Sequence, residues 1–276
     1  MARFPNRNRI NLEVLSAAGL DLPKTVCLRA ILLLVVLSAA SLCAASEDCK
    51  PPKPIPAEVG LPRNIDAVKH KLRYYVCSGT YEQDFRRIAD EATMYVEHRA
   101  IRGTKLALVL DIDETSLSNW PQIAANDFGH ITGGACDSMP EGPCADEAWE
   151  KLAIAKALDP TLKLYKAAQS KNVSIFFVTG RKCADSHKRG VCDPDDALLA
   201  ATEANLRKEG YIGWAGLELK PKSDASTVQQ FKTAKRKQIT EEGYTIIADV
   251  GDQYSDLRGG YSERVFKLPN PFYFIP

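Results

Sequence analysis

Three short apolar runs constrain the fold most: LALVLDI (106–112), VSIFFV (173–178) and YTIIADV (244–250). None alternates polar with apolar residues, which is how strands buried on both faces read. Between them lie stretches of helical period. The clearest is 82–100, with Phe85, Ile88, Ala89, Ala92 and Val96 at the spacing of one helix face. Helical sequence also runs from about 146 to 171. A further helix is expected to open at Asp193-Pro194 and stop at Gly210, and another to cover about 233–242 and close at Gly243. Short strands are expected near 217–219 and at 264–268. Strands alternating with helices predict an α/β fold, a doubly wound parallel sheet with helices on both faces. Such sheets bind ligands beyond the carboxyl ends of their strands, where Asp111, Thr179 and Asp252 all fall.

The segment 30–45, AILLLVVLSAASLCAA, carries no charge and follows Arg3, Arg7, Arg9, Lys24 and Arg29. A basic start, an apolar middle and the small-residue end Cys43-Ala44-Ala45 make 1–45 a signal peptide, with an uncleaved anchor through 30–45 as the alternative. The run is short of the ~20 apolar residues of a membrane span. Without its five basic and two acidic residues, 31 basic and 33 acidic residues remain, a net charge near −2. A basic groove for a nucleic acid polymer is therefore not expected. Residues 46–63, rich in proline and charge, read as an exposed lead-in, and 64–276 as one domain.

Six cysteines follow the leader: Cys49, Cys77, Cys136, Cys144, Cys183 and Cys192. An even set behind a signal peptide points to disulfides in a periplasmic or secreted protein. Six cysteines allow 15 pairings. Proximity favours Cys136–Cys144 and Cys183–Cys192, which leaves Cys49–Cys77. The set Cys183, His187 and Cys192 is better explained by a disulfide and an exposed histidine than by zinc.

The segment LALVLDIDETSLSN (106–119) resembles the first motif of the haloacid-dehalogenase superfamily. Its core DIDETSLSN is similar to the acid phosphatase branch, which includes bacterial acid phosphatases and plant vegetative storage proteins. The likeness continues through Thr179 in FFVTGR, Lys232 in FKTAKRKQI and GDQYSDL at 251–257. It implies a haloacid-dehalogenase (Rossmann-like) sheet with a small, mostly helical cap inserted after the first strand, at about 116–159. It implies Mg²⁺-dependent hydrolysis of small phosphomonoesters, nucleoside monophosphates among them, through an aspartyl-phosphate. Asp111 is then the nucleophile, and Asp113 the general acid and base. Mg²⁺ is held by Asp111, the Asp113 backbone carbonyl and Asp252, with Asp256 in support. Thr179 and the Gly180 N–H hold phosphate, together with Lys232, placed at the expected start of its helix; Lys220 is the runner-up. Trp120, Phe128 and Trp149 are candidates for a leaving-group pocket or simply for core, and Asn119 and Asp127 are polar candidates without a role. A non-catalytic storage or binding protein on the same scaffold is the alternative. The oligomeric state is left open.

Overall fold

The computed structural model describes residues 49–53, 60, 62–188 and 190–276. The expected signal peptide, and most of the lead-in, lie outside them. Pro51–Pro276 form one compact unit. Among the described residues no helix is long and apolar enough to cross a membrane.

The chain enters through α1 (Ile65–Cys77) and α2 (Thr80–Arg99), then β1 (Leu106–Leu110). Next come β2 (Leu117–Ser118), α3 (Trp120–Ala125), α4 (Asp146–Leu152) and β3 (Lys156–Ala157). After them run α5 (Asp159–Ser170), β4 (Ser174–Cys183), α6 (Ala197–Lys208) and β5 (Gly216–Pro221). The chain ends with α7 (Val228–Glu241), β6 (Thr245–Gly251), α8 (Tyr254–Leu257) and β7 (Ser262–Lys267). Five strands form one sheet in the order β5-β4-β1-β6-β7, every pair parallel. This is the α/β architecture that the three apolar runs predict.

Burial explains why those runs do not alternate. On β1, Leu106, Leu108 and Leu110 join a core with Phe85, Ala89, Ala92 and Val96 of α2 and Leu164, Tyr165 and Ala168 of α5. Ala107 and Val109 point the other way, against Phe231 and Ile239 of α7. Both faces of the strand are thus covered, and an apolar residue is required at each position.

Local boundaries depart from the sequence reading in four places. The stretch 146–171 is two helices, because Ala153 turns left-handed (φ 53) and ends α4. The intervening β3 pairs with β2 in a two-stranded antiparallel ribbon. Helix α6 starts at Ala197, not at Pro194, because the Asp196 carboxylate caps it by accepting from the amides of Leu198 and Leu199. Asp193 instead closes a tight turn onto the Asp195 amide. Helix α7 starts five residues before 233, fixed by a capping box in which Thr227 and Gln230 satisfy each other's backbone amides. The last strand begins at Ser262, two residues before the expected 264.

Disulfides join Cys136 to Cys144 and Cys183 to Cys192. Cys49 and Cys77 are disulfide-bonded as well. This usage fits an oxidising compartment.

Candidate active site

Strands β1, β4 and β6 end side by side, and their last residues converge. Asp111 follows β1 directly, its amide donating to Val250 of β6. Asp252 follows β6, and Thr179, Gly180 and Arg181 lie on the late part of β4, where the pairing with β5 slips between Val178 and Lys182. Lys232 reaches in from α7. It lies in the second turn of the helix and not at its start, so its side chain rather than its position at a helix end brings the ammonium to the site.

Asp111, Asp252 and Asp256 are all buried, and each offers a carboxylate oxygen within 4.8 Å of the others. Asp256 therefore stands with the cluster itself, closer in than a supporting role suggests. Its approach requires Gly251, since a β-carbon there would collide with the Asp256 side chain. Lys232 bridges two of the three acids, binding Asp111 Oδ1 and lying 2.6 Å from Asp256 Oδ1. Among the described residues Asp111 Oδ2 has no hydrogen-bond donor. Asp252 is held from three sides: Thr115 Oγ1 at 3.2 Å, Gln253 Nε2 at 2.8 Å and Asn270 Nδ2 at 2.6 Å.

The electrostatics follow from crowding. Burial pushes the Asp111 carboxyl well above its usual range; Lys232 opposes this, and repulsion from Asp256, Asp252 and Asp113 adds to it. Burial, then the neighbouring Asp256, pushes Asp252 up to about 7. The Lys232 ammonium is itself opposed by burial, yet its two carboxylate partners hold it firmly protonated. When ionised, three buried acids facing one lysine carry an excess of negative charge in a set of hard oxygen donors. That is the composition a divalent cation such as Mg²⁺ selects.

Asp113 belongs to a different network. Its carboxylate, partly exposed, meets the Arg181 guanidinium at 2.7 Å (Nη2 to Oδ1) and 3.1 Å (Nε to either oxygen). Asn119 Nδ2 donates to the same Oδ1 at 2.8 Å. Burial works against the charge, but Arg181 and Asn119 overcome it and hold the carboxyl below its usual range. Behind it, Glu114 is fully buried and receives the Asn119 amide and the Tyr273 hydroxyl; burial, then Asp113, pushes it up to about 8.

Thr179 is buried, and its hydroxyl oxygen accepts from the Arg181 amide at 3.1 Å, which leaves the hydroxyl proton free to donate elsewhere. Lys220 is not part of the assembly: its ammonium is taken by Asp224, 3.3 Å away, and by the Asp224 carbonyl. Trp120 and Phe128 pack against Phe272 as core, and Trp149 is buried. Asp127 pairs with Lys69 and Arg73 at the surface.

The sequence reading includes Arg181 only as the last residue of the phosphate-binding Thr179-Gly180-Arg181, gives Asn119 no role and does not single out Asn270 or Tyr273. Arg181 had a visible signal, a lone arginine continuing an apolar strand beside the Thr-Gly pair. Asn270 and Tyr273 lie in a segment with no period to read.

Comparison with known proteins agrees with this geometry. The chain is 34% identical over 205 residues to the stem 28 kDa glycoprotein of Glycine max, covering 73% of this chain and 72% of the relative. It is 30% identical over 207 residues to acid phosphatase 1 of Solanum lycopersicum, covering 74% and 73%. The class C acid phosphatase of Bacillus anthracis shares the fold, with a TM-score of 0.56 at 21% identity over 75% of this chain and 86% of that one. Residues 61–276 match the family described as HAD superfamily, subfamily IIIB (acid phosphatase), and with that match the chain is placed in the haloacid-dehalogenase acid phosphatases, a family of phosphomonoesterases.

Proposed function

We propose that the protein is an exported, Mg²⁺-dependent acid phosphatase that hydrolyses small phosphomonoesters, nucleoside monophosphates included, with Asp111 as nucleophile. The observation that carries the reading is the divided treatment of the two motif acids. Asp111 sits in a buried, lysine-bridged cluster with one carboxylate oxygen open, and Asp113 stands beside it at the solvent edge, oriented by Arg181.

Asp111 Oδ2 attacks phosphorus, and the bond to the leaving oxygen breaks as the aspartyl-phosphate forms. Asp113 gives its proton to that oxygen, then takes one from the water that releases phosphate and regenerates Asp111. Arg181 alone would keep Asp113 ionised; a phosphate dianion arriving alongside acts in the opposite direction and lets it hold the proton. The Thr179 hydroxyl, the Gly180 N–H and Lys232 bind phosphoryl oxygens. Asp111, Asp252 and Asp256 would hold the divalent cation, together with the Asp113 carbonyl. When bound, that cation neutralises charge between nucleophile and phosphate.

A chromogenic phosphate ester assayed with and without EDTA tests the reading, followed by a screen over nucleotides, sugar phosphates and phosphoamino acids. Metal-dependent turnover that EDTA abolishes is expected. No turnover in metal-replete protein would leave the storage role, and turnover insensitive to chelation would exclude the metal.

A further inference from the structure

A primary amide has one acceptor end and one donor end, and the surroundings of Asn119 specify which is which. The indole N–H of Trp149 can only donate, and it lies 2.8 Å from Asn119 Oδ1. The opposite end, Nδ2, is then 2.8 Å from Asp113 Oδ1 and 3.1 Å from Glu114 Oε2. Turning the amide over would set its oxygen against two carboxylates and its N–H₂ against the indole N–H. Glu114 anchors the arrangement from behind: its backbone is left-handed (φ 49) and its Oε1 accepts from the Asn119 amide at 2.5 Å. Trp149 belongs to α4, within the segment inserted after β1, and both it and Asn119 are buried.

The result is an asymmetric Asp113. Oδ1 receives Arg181 Nη2 at 2.7 Å, Arg181 Nε at 3.1 Å and Asn119 Nδ2 at 2.8 Å, whereas among the described residues Oδ2 receives only the shared Nε at 3.1 Å. A proton on Oδ1 would displace a charge-assisted donor, whereas Oδ2, with its one shared donor, keeps a lone pair for the proton. We propose that Asn119, locked in orientation by Trp149, is a positioning residue that joins Arg181 in saturating Oδ1, so that Oδ2 of Asp113 is the oxygen that exchanges the proton with the leaving group. As the phosphorus bond to Asp111 forms and the bond to the leaving oxygen breaks, the Oδ2 proton passes to that oxygen and its electron pair stays on Asp113. In the second half, water loses a proton to Oδ2 as its oxygen bonds to phosphorus and the bond to Asp111 breaks. Trp149 thereby couples the inserted segment to the proton-transfer step through Asn119.

This inference rests on the proposed role of Asp113 as acid, and leaving-group chemistry tests the two separately. An alkyl phosphate needs its leaving oxygen protonated, and p-nitrophenyl phosphate, with a stable leaving anion, hardly does. The measurement is kcat/KM on both esters for Asp113→Asn, Asn119→Ala, Trp149→Phe and the last two combined. Trp149→Phe keeps an aromatic ring in the core while removing the N–H with its fused five-membered ring, so it reports even where Asn119→Ala folds poorly.

The expected selective loss, alkyl over p-nitrophenyl, is about a hundredfold for Asp113→Asn, on the order of the contribution of a general acid. It should be about tenfold for Asn119→Ala and about threefold for Trp149→Phe, as partial losses of the same effect. The double variant should be no worse than Asn119→Ala, since Trp149 acts through it. Equal losses on both esters for Asn119→Ala and Trp149→Phe, beside a selective Asp113→Asn, would overturn the positioning role alone. A non-selective Asp113→Asn would overturn the acid assignment, and the positioning role with it.

Discussion

Metal and protons should compete for the carboxylate cluster, and the competition has a calculable size. Asp252 is pushed up to about 7 by burial and by Asp256, against roughly 3.9 in an unfolded chain. An acid whose folded pKa is raised holds a proton that unfolding releases. The stability that Asp252 contributes to the metal-free protein is therefore fully present below the unfolded carboxylate range and is lost as pH rises toward 7. Three units at ~1.4 kcal/mol each give up to about 4 kcal/mol, or roughly 8–16 °C in Tm for a folded region of this size. Bound metal removes that penalty. Seen from the metal's side, about one Asp252 in a hundred is ionised at pH 5 against about one in two at pH 7, so apparent Mg²⁺ affinity should be about fiftyfold weaker at pH 5, about 2.3 kcal/mol. The assay is titration calorimetry of EDTA-stripped, dialysed protein with Mg²⁺ at pH 5, 6 and 7, with thermal unfolding of the stripped and loaded forms alongside. Glu150, pushed up to about 8, titrates outside the cluster and cancels when the two forms are compared, whereas Glu114, also pushed up to about 8, acts on Asp252 and counts with it. Affinity that does not change between pH 5 and 7, or parallel Tm profiles for the two forms, would refute the reasoning.

Four further outcomes are expected. Asp111→Asn should keep the fold and lose at least a hundredfold in kcat, about 3 kcal/mol of barrier; single-turnover assays that still yield a phosphoenzyme would contradict the nucleophile assignment. Lys232→Ala should damage turnover far more than Lys220→Ala, because Lys232 contacts Asp111 and Asp256 while Lys220 is taken by Asp224; the reverse order in kcat/KM would move the phosphate contact to Lys220. Cys183→Ser should lower Tm and weaken phosphate binding, since the Cys183–Cys192 bridge begins two residues after Arg181 and closes a loop whose entropy is worth ~3 kcal/mol. Thiol titration of denatured, unreduced protein should find no free thiol among the six cysteines from Cys49 onward; six reactive thiols would refute the disulfides.

The sheet was legible in the sequence because double-sided burial leaves an unmistakable trace, an apolar run with no alternation, and β1, β4 and β6 all carry it. Asp111, Thr179 and Asp252 could be placed together for the same reason, since each sits at the end of such a run. Helix starts were harder. Asp193-Pro194 and Asp196 offer competing caps a few residues apart, and only the contacts of Asp196 with Leu198 and Leu199 decide between them. The supporting contacts were least legible. Asn270 on Asp252, Tyr273 on Glu114 and Trp149 on Asn119 are long-range hydrogen bonds from positions that local pattern does not mark.

Those same distant pairings bear on how the molecule comes to be active. Lys232 meets Asp111 across 121 positions of sequence, Thr115 meets Asp252 across 137, and Tyr273 meets Glu114 across 159. Local contacts cannot assemble such a site, and each of these pairings carries a loop-closure entropy that must be met before it contributes stability. During refolding, helical circular dichroism should return ahead of turnover. Phosphate release is thus a stringent reporter of complete tertiary order, and a sample can show full secondary structure while its catalytic centre is still unmade.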